Sequence, residues 1–280
     1  MRESSNPVFR SLPKQQGGYA QFGTGYAAGA QQVYQGTEAQ PYVQKGVARP
    51  LTIDDVVQKT GITLAVLTLV AAATYFFVGQ NLSLAGPLAM VGAIAGLVLV
   101  LVATFGRKQD NPGIVLAYAA CEGLVLGAIS FIFANFVVSG VGAGVFLTQA
   151  VLGTLGVFFG MLVVYKTGAI RVTPKLTRMV VAALFGAFAL MLGNFLLSIF
   201  GVNGGQGLGI RSGGPLAIIF SLVVIGIAAF MFLLDFDRAD QMIRAGAPEK
   251  AAWGIALGLT VTLVWLYLEI LQLLSYFYRN

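Results

Sequence analysis

From Gly61 onward the chain alternates long apolar stretches with short polar connections. The apolar runs cover roughly Gly61 to Val78, Leu84 to Phe105, Gly113 to Val137, Ala143 to Tyr165, Arg178 to Phe200, Pro215 to Asp235 and Ala252 to Tyr276. Each is close to the ~20 residues a helix needs to cross a hydrocarbon core about 30 Å thick. In lipid, backbone polar groups must be satisfied within the segment, and the continuous apolar runs lack the alternation of a barrel strand. The pattern therefore predicts an all-α, polytopic membrane protein: one bundle of seven transmembrane helices over residues 51–280. Residues 1–50 differ. Gln15 to Gln44 is rich in Gly, Gln, Ala and Tyr, with almost no charge and no aliphatic pattern, so a disordered tail is expected there. Its tyrosines Tyr19, Tyr26, Tyr34 and Tyr42 are candidate contacts for a partner. Thr52 and Asp55 have the spacing of a capping box, which predicts a helix start. Leu51, Ile53, Val56 and Val57 are then expected along the inner membrane surface before the chain enters the bilayer.

Composition supports this class. With 57% hydrophobic residues, 10% charged residues and a mean hydropathy of +0.82, a soluble domain is excluded. The net charge of +6 follows topology rather than nucleic-acid binding. Fifteen of the seventeen Lys and Arg residues precede the first span or follow the second, fourth and sixth; only Arg211 and Arg279 would face the other side. The positive-inside rule then puts the N-terminus in the cytoplasm and the C-terminus outside, in the cell membrane. The first apolar run begins too late for a signal peptide, so the first helix is expected to remain as an anchor. With Cys121 the single cysteine and no histidine, disulfide frameworks, His-based zinc sites and histidine relays are ruled out within one chain. No cofactor is expected, and proton chemistry falls to carboxylates.

Only three acidic residues lie inside or against the spans: Glu122, Asp235 and Glu269. A carboxylate at mid-bilayer costs roughly 2.5–3.5 kcal/mol on insertion scales, so acids kept there point to ion or proton handling. Other features read as structure. The loop Gly201 to Gly214 lacks the ending of a phosphate-binding loop and is expected to be a flexible connector. Glycine pairs four apart, Gly92 with Gly96, Gly123 with Gly127, Gly156 with Gly160 and Gly254 with Gly258, predict close helix contacts. Asn194 is expected to make an interhelical hydrogen bond, and Cys121 to pack as a small apolar residue.

The sixth span ends FLLDFDRADQM and the seventh reads WLYLEILQLLSYFYR. Over Asp54 to Asn280 these ordered motifs resemble the transmembrane Bax inhibitor motif family in its bacterial branch. That resemblance implies two groups of three helices around a central C-terminal helix, and a pH-sensitive calcium leak. It implies a proton-sensing carboxylate pair, carried here by Asp235, matched through Phe236, and Glu269, matched through Leu266-Tyr267-Leu268. Two carboxylates in a low-dielectric interior cannot both ionise cheaply, so such a pair shares a proton and becomes a switch. Calcium suits their oxygens, making Asp235 and Glu269 the candidate metal ligands. The two acids are 34 residues apart, and a hairpin turning near Ala247 offsets them by about 15 Å. Direct pairing instead requires Arg238 to Trp253 to lie along the membrane surface. Glu122 is a candidate lining residue of the same pathway, and Arg107 or Arg238 a candidate counter-charge for Asp235.

The leading functional expectation is a pH-gated calcium channel, leak or proton-coupled transporter, with calcium and protons as its ligands and the bilayer as its surroundings. The alternative is a regulatory protein that binds another membrane protein, such as a membrane protease, through its tail. No enzyme is expected. An intramembrane aspartyl protease needs two aspartates at matched depth in Tyr-Asp and Gly-x-Gly-Asp settings, which are missing.

Overall fold

A computed structural model describes residues 49–278; the expected tail, apart from Arg49 and Pro50, lies outside the described residues. Seven long helices follow in order: α1 Ile53–Gln80, α2 Ala85–Phe105, α3 Pro112–Ile132, α4 Ala143–Thr167, α5 Pro174–Ile199, α6 Pro215–Arg244 and α7 Ala251–Tyr278. All seven are long and apolar enough to cross a membrane. Their starts follow local chemistry. Thr52 and Asp55 close the predicted capping box on α1, Asn111 caps α3 and Thr173 caps α5, while Pro112, Pro174 and Pro215 open their helices where the missing N–H costs nothing.

Helix α7 is the axis of the bundle. It packs against α1, α3, α4 and α6, while α2 leans on α3 and α5 on α6, which yields the two groups of three implied by the resemblance. Of its most apolar stretch 67% is buried, against 50% or less in every other helix. Large apolar residues on the outer helices, among them Leu69, Phe76, Ile94 and Phe185, point outward, as expected where the solvent is lipid. Small residues close the helix contacts instead. A β-carbon on Gly123 would lie 2.7 Å from the Leu67 carbonyl oxygen, one on Gly127 would overlap the Ala71 carbonyl oxygen, and one on Gly92 would lie 2.6 Å from that of Cys121. These pairs hold α3 against α1 and α2. The Gly156 and Gly160 pair differs from expectation: both face open space, because α4 meets α6 and α7 on another face, where Phe158 packs on Phe232 and Phe146 on Tyr278.

Two expectations about the membrane surface are corrected. Residues 53–80 form one continuous helix, and Leu51 and Val56 are buried in the core cluster while Ile53 and Val57 are exposed. No separate surface segment forms there. Likewise Arg238 to Trp253 does not run along the surface. Asp237 accepts a hydrogen bond from Gln241 (2.6 Å) and Asp240 pairs with Arg244 (2.9 Å), so one-turn bonds carry α6 to Arg244. A tight turn ending at Lys250 then leads into α7. The extended segment before α1 clips this turn, with Leu51 N–H donating to the Ala247 carbonyl (2.8 Å) and Glu249 N–H to that of Arg49 (2.9 Å). Arg49 and Lys59 both reach Glu249 at 3.5 Å.

Candidate functional site

The simple hairpin between α6 and α7 keeps Asp235 and Glu269 apart, and each finds its own partners. Asp235 Oδ2 accepts a hydrogen bond from Thr262 Oγ1 at 2.8 Å, and its Oδ1 lies near Gly258, 3.8 Å from where a β-carbon would be. Glu269 lies seven residues beyond Thr262, which places it on the same face of α7 about 10 Å further along. The expected carboxylate pair is therefore replaced by two stations along one helix face. Asp235 is the station near the end of the bundle that carries the basic connections, and Glu269 is the station toward the opposite end.

At the basic end, Asp235 borders a cavity of about 40 Å³ lined also by Gln109, Asp110, Arg238 and Gly254. That volume holds one or two waters. Arg238 shares this cavity but makes no ion pair with Asp235. Arg107 is exposed and pairs with no acid among the described residues. Arg107 is therefore not a counter-ion in this state, whereas Arg238 faces Asp235 across the cavity without direct contact. Asp110, unremarked in the sequence, stands at the mouth of the cavity with Lys250 at 3.9 Å.

Glu269 is only 2% exposed, yet it is fully partnered. Arg211 grips it with both arms, Nη1 to Oε1 at 3.2 Å and Nη2 to Oε2 at 2.9 Å, and Ser221 Oγ donates to Oε1 at 2.8 Å. Two-pronged guanidinium–carboxylate contact is the strong form of this interaction. The arginine assigned to the outer side thus points into the bundle, where it also rests near Phe220 (5.8 Å to the ring centre) and Met191 Sδ (3.7 Å).

The glycine-rich connector makes this reach possible. Gly207 has φ of +58°, and a side chain there would strike the Asn194 carbonyl. Asn194 Oδ1 accepts the Leu208 N–H at 2.8 Å, so the predicted interhelical bond is in fact a tether from α5 to this loop. The connector is folded onto the bundle, with Ile210 buried and Arg211 aimed inward. The available signal was charge: Arg211 is the single basic residue of a loop facing the half of the bilayer that holds Glu269.

Glu122 sits apart from both stations. It is half-buried on α3, and its Oε1 would lie 3.2 Å from a β-carbon on Gly96 of α2. Nothing brings it into the cavity beside Asp235. Among the described residues no group of three or more acidic, His or Cys side chains could hold a metal ion; Asp235 and Glu269, expected to ligate calcium together, are set apart by the two turns of α7 between Thr262 and Glu269.

Fold and site together define a seven-helix, multi-pass membrane protein whose central helix carries a buried acid neutralised from a loop. The chain belongs to the Bax inhibitor 1 like family, whose model matches residues 6–279. The match begins well before Asp54 and so takes in most of the segment that the sequence motifs left uncovered. No curated protein matches the chain in sequence.

Proposed function

We propose that the protein is a pH-sensitive calcium-permeable leak of the cell membrane, cytoplasmic at its N-terminus, needing no cofactor and catalysing no reaction. Asp235 and Glu269 serve it as two successive titratable stations along α7 rather than as a pair sharing one proton. The observation that supports this reading most is the counter-charge of Glu269, which comes from a loop. A loop-borne guanidinium can withdraw without unpacking a helix. While Glu269 is ionised, Arg211 neutralises it and closes the route from that side. Loss of the Glu269 charge removes the attraction and frees the loop, which opens the route from that side. Calcium is cargo, a hard cation drawn to carboxylate and carbonyl oxygens.

The test is calcium flux through the purified full-length protein in vesicles over a pH series, with Asp235→Asn and Glu269→Gln introduced singly and together. Each variant should lose pH dependence. An unchanged pH response in both single variants overturns the assignment. The runner-up, a regulatory protein that captures a membrane partner through its tail, is separated by deleting residues 1–48: flux survives under the leak reading, and partner capture is lost under the other.

A further inference from the structure

The basic end of the bundle carries a second and much larger cavity, about 930 Å³, lined by neither Asp235 nor Glu269. It is a cleft between helices that do not pack closely on each other. Helix α4 packs on α6 and α7 whereas α1 packs on α3 and α7, so α1 and α4 become facing walls. Val57, Gly61 and Leu64 supply one wall, Phe158, Phe159 and Leu162 the other, and Phe236 and Leu259 also line it. Its size matches ligand sites, which span about 300–1,000 Å³.

The rim is charged, and its acids are already occupied. Asp240 accepts from Arg244 and from the Tyr165 hydroxyl (3.3 Å), and Asp237 from Gln241. Lys166 and Arg171 pair with no acid among the described residues. Two uncommitted cations thus stand over a long apolar slot. Thr60 adds a third observation from inside the cleft. Three other buried threonines, Thr63, Thr154 and Thr260, return their hydroxyl to the carbonyl one turn back at 2.7–2.8 Å. Thr60 is 7% exposed and its Oγ1 has no partner. A buried hydroxyl left unpaired is costly, which favours a ligand that brings an oxygen to it.

We propose that this cleft binds one anionic glycerophospholipid, with its phosphate between Lys166 and Arg171, its ester oxygens toward Thr60 and an acyl chain between α1 and α4. Basic pockets between transmembrane helices suit acidic headgroups, and the apolar walls suit the chain. The proposal is independent of ion flux.

Native mass spectrometry of the full-length protein in detergent, titrated with dioleoylphosphatidylglycerol or dioleoylphosphatidylcholine, tests it. Binding of the anionic lipid should saturate at one per chain and exceed that of the zwitterionic lipid by roughly tenfold or more, given two cations beside the phosphate. The double variant Lys166→Glu, Arg171→Glu should erase the preference. Gly61→Trp should reduce retention of both lipids by filling the slot; a β-carbon there meets no atom within 4 Å, so the new side chain starts from open space. Equal retention of the two lipids by the native chain, binding without saturation, or unchanged retention in both variants overturns the proposal.

Discussion

Replacing Arg211 with alanine removes two guanidinium bonds and leaves the Glu269 carboxylate, its side chain 3% exposed, held by Ser221 alone. Removing one member of a buried ion pair costs about 3–5 kcal/mol, because the remaining charge stays desolvated. The Arg211 side chain keeps 30% exposure, so the pair is not sealed, and we expect the lower end, about 3 kcal/mol. Most of that loss is electrostatic. Adding Glu269→Gln to Arg211→Ala should therefore recover about 2 kcal/mol, since an amide needs no counter-charge. Arg211→Lys should fall between, keeping charge while losing the two-pronged geometry. The assay is denaturation of the purified chain in one detergent at neutral pH, with the native chain, Arg211→Ala, Glu269→Gln and their combination compared as a double-mutant cycle and Arg211→Lys measured alongside. If Arg211→Ala matches the native protein within about 0.5 kcal/mol, or if the second substitution recovers nothing, the pair does not carry the energy assigned to it.

Other consequences are separately measurable. Gly127→Ala should destabilise the bundle by about 1–3 kcal/mol, because the new methyl group meets the α1 backbone at Ala71; Gly160→Ala, which faces open space, should be neutral or stabilise by about 0.5 kcal/mol, and the two denaturation curves decide. Thr52→Ala opens the capping box and should cost about 1 kcal/mol, with faster hydrogen exchange confined to the first turns of α1. Thr262→Val keeps the shape but takes the donor from Asp235, for an expected loss of about 1–3 kcal/mol that should largely vanish when Asp235→Asn is already present.

Much of this architecture was legible in the chain itself. Seven apolar runs of membrane length, the Thr52 and Asp55 cap, and the helix-opening prolines act within a few residues of one another, so they need no tertiary information. The three intramembrane acids were equally visible, since composition alone makes them conspicuous. What these acids touch was not. Asp235 was matched by motif to Glu269, but α6 runs on to Arg244 and turns within six residues into α7, a turn braced by the clip between residues 49–51 and 247–249, almost two hundred positions apart. That hairpin gives Asp235 to Thr262. Glu269 then met Arg211, 58 positions away, only because Asn194 and Gly207 fold a glycine-rich connector inward. Helix formation in lipid follows from local apolar length and backbone hydrogen bonding, which a linear pattern records. The partner of a buried charge depends on which distant groups packing brings within about 3 Å, and only the assembled bundle decides that.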